Sequence, residues 1–365
     1  MAAAVALPGI SMGATPIEKG DVIVDYKHLI YDEQDDLMQV DAEYLNIGFA
    51  LTEKNDLQLA IEYETMSGAS PIFNAPGTDG EPVVVKSGAS ITDQRTAVSA
   101  RFRHFFDKGT LTITPSWSDE DDYTSQALTF QYEWDTNNKN TTFVVGAGLA
   151  DDQVWAEGQD IKNDKEGKSA FVGVTQVLSA KSLLQVNLSF AKESGFLNDP
   201  YKLVQVQDSI LADARPDDRA MLAGLVRYIR KTGADSSIHL SYRLFSDDWS
   251  IQSHTFEASW FTELSNDWLL NPNLRYYSQD AAEFYEPYFV ELRNDGYYSS
   301  DFRLASYGSI MAGLRIGKTI SGNTRFDLGL EYYSRRGDLK LSGEHSLDPE
   351  PLTSYVITLG IKHTF

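Results

Sequence analysis

The sequence predicts an all-β fold: a single transmembrane antiparallel β-barrel of about 16 strands (range about 14–18), with short periplasmic turns and long extracellular loops. Three observations predict it. Apolar and polar residues alternate with period two, in blocks of about ten, from Asp21 to the end of the chain. The connections between blocks are alternately short and long. No stretch approaches the roughly 18 uninterrupted apolar residues of a membrane helix, which removes helical membrane proteins but not barrels.

Strands are expected near residues 21–31, 37–51 and 57–66. In the last of these, Leu57, Leu59, Ile61 and Tyr63 alternate with Gln58, Ala60, Glu62 and Glu64. The next are expected near 95–106, 109–118 and 124–135, where Leu128, Phe130, Tyr132 and Trp134 oppose Thr129, Gln131 and Glu133. Further blocks fall near 140–150, 168–179 and 182–193, the last placing Leu184, Val186, Leu188 and Phe190 on one face and Gln185, Asn187 and Ser189 on the other. The series continues near 221–231, 236–246, 253–264, 268–278, 306–320 and 323–335, with Phe326, Leu328, Leu330 and Tyr332 against Asp327, Gly329 and Glu331. It ends near 352–365, where Tyr355, Ile357, Leu359, Ile361 and the final Phe365 share a face, broken only by His363. A terminal aromatic on an alternating strand resembles the signal read by the outer-membrane assembly machinery, so that machinery is an expected partner.

Alternation alone also fits a soluble sandwich. The connections decide for the barrel. Short turns occur at Glu53–Asp56, Asp107–Gly109, Asn137–Asn140, Ser179–Lys181, Lys231–Ala234, Ser265–Asp267 and Ser321–Asn323, each after an even-numbered strand, so they lie on one side. The long segments 67–94, 194–220, 279–305 and 336–351 lie on the other, which is the asymmetry of bacterial outer-membrane barrels. Aromatics near strand ends, among them Trp117, Trp134, Trp260, Trp268 and Tyr332, suit interfacial girdles, although aromatics favour any strand. Residues 1–14, an Ala-rich apolar run ending in small residues, read as the remnant of a secretory signal cleaved after Ala14, leaving 15–365 as the barrel; a disordered Ala-rich terminus is the alternative.

Composition narrows the function. The 365 residues contain no cysteine, which excludes disulfide scaffolds, thiol enzymes and iron–sulfur sites. With 53 acidic against 31 basic side chains the net charge is -22, which argues against nucleic acid as a partner. Outer-membrane lipid and lipopolysaccharide are the expected surroundings.

Several segments carry a resemblance. Ser67–Pro71 (SGASP), Ile91–Arg95 (ITDQR), Glu120–Ser125, Thr175–Ser179 (TQVLS), Asn198–Lys202 (NDPYK), Ser241–Arg243, Asp247–Trp249 with Ser253–Thr255 (SHT), and Arg275–Gln279 (RYYSQ) look like the markers of an uncharacterised group of bacterial outer-membrane proteins, catalogued as a domain of unknown function. They run in order along nearly the whole mature chain. The resemblance implies an exported β-barrel with no established activity. It also hints at an envelope redox pathway, and so at a periplasmic or surface partner, because such genes often neighbour ones for a flavin-transferring maturation enzyme and a thioredoxin-like protein.

If apolar faces meet lipid, the lumen is lined by Glu62, Glu64, Arg101, Arg103, Glu133, Arg227, Arg243, Glu257, Glu263, Arg275, Arg315, Asp327 and Glu331, both signs in near balance. Opposed charges across an aqueous channel would orient polar solutes; the plainer alternative is pairing between neighbouring strands. Acidic clusters at Asp32–Asp36, Ser118–Asp122, Asp213 with Asp217 and Asp218, Asp247–Asp248 and Glu344–Glu350 lie on the long-loop side, where they could bind Ca2+ or cation-decorated lipopolysaccharide, or simply be solvated. No EF-hand, paired-histidine, haem-attachment, Walker or dinucleotide motif is present. Val83–Val85 and Leu203–Val206 are apolar enough to fold back, as a constriction in the barrel or as strand extensions above the membrane.

Three functions follow. A channel or transporter for small polar or cationic solutes is the first. The second is a non-conducting docking barrel for an envelope partner. The third, an outer-membrane hydrolase using Ser253, His254 and Asp247 or Asp248, lacks a Gly-x-Ser-x-Gly elbow, and neighbours along a strand point to opposite faces.

Overall fold

The computed structural model describes residues 16–34, 37–77, 81–87, 91–346 and 351–365; the signal-remnant expectation lies outside them. Sixteen strands close an antiparallel barrel. They are β1 (Val22–Glu33), β2 (Met38–Thr52), β3 (Asn55–Gly68), β6 (Ile91–Phe105), β7 (Gly109–Asp119), β8 (Tyr123–Thr136), β9 (Thr141–Val154), β10 (Asn163–Ser179), β11 (Ser182–Gly195), β14 (Asp218–Lys231), β15 (Ser236–Asp247), β16 (Gln252–Leu264), β17 (Trp268–Gln279), β18 (Tyr307–Ser321), β19 (Thr324–Arg336) and β20 (Leu352–Thr364). Each pairs with its sequence neighbour in the wall, and β20 closes onto β1 through pairs from Ile23–Thr364 to Glu33–Ser354. The remaining strands form two small hairpins within long loops, β4 (Pro71–Pro76) with β5 (Pro82–Lys86) and β12 (Leu203–Val206) with β13 (Ser209–Ala212).

The distribution of polarity is that of a membrane barrel. On β11, Val186, Leu188 and Phe190 are 40–50% exposed on the outside, while Gln185 is 1% exposed within. A soluble protein would bury the first set and expose the second. In a bilayer the inversion is the stable arrangement, because lipid tails cover the apolar band and the closed ladder leaves no unpaired edge.

The short turns lie where the spacing puts them. Asn137, Asn138 and Lys139 all take positive φ, as do Asn266 and Asp267, conformations that Asn and Asp tolerate better than most residues. Beside this end runs an aromatic band of Phe106, Tyr132, Trp134 and Phe143, with successive ring centroids 6.2, 5.7 and 5.5 Å apart. Tyr332 and Tyr355, 5.4 Å apart, lie nearer the opposite end.

Inside the wall, Phe171 of β10 lies over Gly146 of β9. A Cβ on Gly146 would stand 2.1 Å from the Phe171 ring and 2.9 Å from the Phe130 carbonyl. We expect Gly146→Ala to destabilise the refolded barrel by about 1–3 kcal/mol through overpacking. Gly224→Ala, where a Cβ meets nothing within 4 Å, should shift the urea midpoint little. Equal midpoints for the two variants would contradict this account.

Candidate functional site

Strand register fixes which charged side chains face the lumen. Across β2–β3, Tyr44 pairs with Glu62 and Ala42 with Glu64, on the face opposite the exposed Leu59, Ile61 and Tyr63. Following the pairs around the wall puts Arg95, Arg101 and Arg103 of β6, Glu133 of β8, Arg227 of β14 and Arg243 of β15 on the same inner face. Glu257 of β16, Arg275 of β17, Arg315 of β18, and Asp327 and Glu331 of β19 complete the set.

These groups are not equally committed. Arg95 reaches Glu64 at 3.0 Å, Glu62 at 3.4 Å and Glu120 at 3.6 Å, and the Tyr44 hydroxyl donates to Glu64. Arg103 holds Asp56 through two nitrogens, at 2.7 and 2.5 Å, near the short-turn end. Arg275 lies 3.4 Å from Glu257. Arg101, Arg227, Arg243 and Arg315 are different: among the described residues, none has a carboxylate oxygen within 4.0 Å. Arg227 and Arg243 are diagonal neighbours across β14–β15, facing Ser241 and Leu225 respectively. In the closed strand order β15 stands across the lumen from β3, which carries Glu62 and Glu64.

The long loops form a cap across the other end of this lumen. They leave the wall at three separated places, between β3 and β6, between β11 and β14, and between β17 and β18, yet contact one another. Asn74 of β4 donates to the Ser300 carbonyl, and Ser300 Oγ donates to the Leu203 carbonyl. Lys202 Nζ donates to Ser70 Oγ and to the Pro71 carbonyl. Loops rooted so far apart can meet in this way only by crossing the mouth. Two apolar clusters hold them: Leu197, Trp249, Ile251, Phe284 and Leu304 in one, and Val204, Val206 and Phe289 in the other. The hairpins therefore fold as sheets of their own, distinct from the barrel ladder.

The cap's centre is ionic. Arg215 contacts Asp213 at 2.5 Å and Asp301 at 2.8 Å, both carboxylates being fully buried, and Arg303 ties Asp301 to Asp199. Burial would raise the Asp301 pKa, but Arg303 and Arg215, with Lys202, outweigh it and hold this carboxyl far below the usual range. Burial pushes Asp213 upward despite Arg215, and pushes Lys202 downward despite Asp301 and Asp199. Arg219 of β14 pairs with Asp247 of β15 at 2.6 Å, an inward-facing pair that reaches across the ladder. Within Asn198–Lys202, Asp199 and Lys202 both enter the cap.

Elsewhere on the long-loop side, Asp93, Glu120 and Asp122 bring carboxylate oxygens within 4.8 Å of one another, the only such group among the described residues that could hold a cation. Burial, with Asp93 and Asp122, pushes Glu120 up to about 7. Ser253 faces inward, whereas His254 lies outside, its Nδ1 2.8 Å from the Tyr242 hydroxyl, so the two do not meet. Phe365 ends the chain 68% exposed, its backbone nitrogen donating to the Val22 carbonyl.

The cap residues were the part of the site that sequence spacing missed. The available signal was the mixture, within two loops, of Leu203, Val204, Val206, Phe284 and Phe289 with arginines and aspartates of opposite sign, which is the composition of a segment that folds.

A family model described as "Protein of unknown function (DUF3570)" matches residues 1–350. No curated protein sequence matches. Among solved structures, CdiB from Acinetobacter baumannii superposes with a TM-score of 0.53 at 11% identity, covering 93% of this chain and 60% of that one. A bacterial polysaccharide outer membrane secretin gives 0.50 at 9% identity, with 94% and 98% covered. OmpT of Vibrio cholerae gives 0.49 at 10%, with 94% and 96% covered. At such identities the likeness is one of fold, that of outer-membrane barrels.

Proposed function

The chain belongs to this family of proteins of unknown function, and from its geometry we propose that it is a channel of the bacterial outer membrane, closed at the long-loop mouth by a folded cap, for small polar solutes. The observation that carries the reading is the meeting of three separately rooted loops above a charged lumen. A purely structural wall needs inner charges only in mutually satisfied pairs. Here, among the described residues, Arg227 and Arg243 have no carboxylate partner of their own and stand across from the carboxylates of β3. Such an arrangement orients a dipolar solute and draws its anionic group to one side. The acidic loops concentrate cations outside, but their field is screened within a Debye length of about 8 Å at physiological salt.

Single-channel recording of the refolded protein in a planar bilayer tests this. The wild type should show rare openings rather than steady steps. In those openings, Arg227→Gln with Arg243→Gln should shift permeability several-fold from anions toward cations. A steady wide pore in the wild type, or unchanged ion preference in the double variant, would sink the reading.

A further inference from the structure

Between the cap and the wall of β1, β2, β19 and β20 lies a cleft of about 100 Å³. Its floor is apolar: Met38 and Leu352 from the inner wall, and Ile72, Phe73, Val84 and Phe302 from the folded loops; Glu33, Lys86 and Asp301 also line it, with Glu33 in the field of Arg335 and Lys86. Into it run two cations that are more than nine-tenths buried. Lys202 is 6% exposed and Arg335 8% exposed. Both address one ring, Lys202 Nζ lying 5.5 Å and the Arg335 guanidinium 4.5 Å from the centroid of Phe302. The hydrogen bonds of Lys202 go to neutral oxygens, Ser70 Oγ and the Pro71 carbonyl, which leaves one of its three N–H donors. Asp301 and Asp199 act on this charge from a distance, but Asp301 does not take the free donor, because its two oxygens already accept from Arg215, from Arg303 and from the Arg303 backbone.

In a chain of net charge -22, a largely apolar cleft lined by three cations, Lys86, Lys202 and Arg335, against two carboxylates, Glu33 and Asp301, is out of character with the surface around it. Small-molecule sites have this make-up, a mostly apolar enclosure with a few convergent polar groups that fix orientation. The volume is somewhat below the ~150 Å³ of apolar cavities that admit a benzene ring, but this cleft is open at one side, so a ring enters with its charged end at the polar edge. We infer that the cleft binds a small amphipathic carboxylate, a single aromatic ring or short alkyl chain whose anionic head is held by Lys202 and Arg335. The inference goes beyond the channel reading and does not depend on it, since a ligand bound here need not be a solute that passes.

Binding of benzoate to the folded, detergent-solubilised protein, by titration calorimetry against a matched micelle blank, tests it. Benzoate should bind, and benzamide, of the same shape without the charge, should bind at least tenfold more weakly. Lys202→Met should abolish that preference. Because Lys202 also belongs to the cap, Leu352→Ala provides a second arm: enlarging the floor should raise the affinity for 2-naphthoate relative to benzoate. Absence of benzoate binding, equal binding of benzoate and benzamide, or a size preference unmoved by Leu352→Ala would each overturn the inference. Conductance plays no part in these readouts, so failure here and failure of the channel reading are separately visible.

Discussion

Replacing Arg215 by methionine is expected to open the cap while leaving the barrel intact. Arg215 is 10% exposed and bridges two carboxylates, Asp213 and Asp301, whose side chains are fully buried. Removing the cation leaves buried Asp213 without its ion-pair partner and Asp301 with Arg303 alone, so their desolvation is no longer fully compensated. Breaking a buried pair from one side costs about 3–5 kcal/mol. At 1.4 kcal/mol per tenfold, the open fraction of the cap should rise by roughly two to three and a half orders of magnitude. The strands should not share this loss, because their ladder and outer apolar band contain neither partner. Three readouts separate the outcomes. Heat-modifiable migration on a gel should persist, channel openings should become frequent, and trypsin should cut at Lys202 or Arg303, both held in the closed cap. A variant that remains trypsin-resistant and silent would show that the apolar clusters around Trp249 and Val204 close the mouth without the ions.

The contrast between wall and cap explains what could be read in advance. The wall was legible because every outward residue answers to the same solvent, lipid, and its neighbour two places on answers to the same lumen; period two survives in the sequence as Leu57–Leu59–Ile61–Tyr63 or Leu184–Val186–Leu188–Phe190. The inner positions of Glu62, Glu64, Arg101 and Arg243 follow from that parity alone. Their partners do not. Whether Arg103 is spent on Asp56, or Arg243 is left unpaired, depends on register between strands and on rotamers, which parity does not encode. The cap was illegible for a stronger reason. Its contacts join Asn74 to Ser300 and Lys202 to Ser70, across 226 and 132 residues, with no repeating pattern to announce them. The segments Val83–Val85 and Leu203–Val206 announce only that they fold back, and both do so within hairpins; that Val204 and Val206 then pack on Phe289 is tertiary information.

Acid should open the same cap in the wild type. Within it Asp301 is held far below the usual range by Arg303 and Arg215 against the cost of burial. Asp199 is lowered in the same way, Arg303 again outweighing burial. A carboxylate depressed in the closed state stabilises that state above its ordinary pKa of about 3.9, and this stabilisation declines as pH falls through and below that value. The open cap takes up the proton that the closed cap refuses, so protonation pulls the equilibrium toward opening from about pH 5 downward. Asp213 acts in the opposite sense, since burial raises it and its protonation favours the closed form. It stands alone against two lowered carboxylates, Asp301 and Asp199, so the pair sets the sign. Opening probability should be flat from pH 8 to about pH 5 and then climb toward pH 3. Asp301→Asn, with no proton to exchange, should be more open at neutral pH and much less sensitive to acid. If the wild-type profile is flat to pH 3, or the variant climbs as steeply as the wild type, the ionic centre is not what holds the mouth shut.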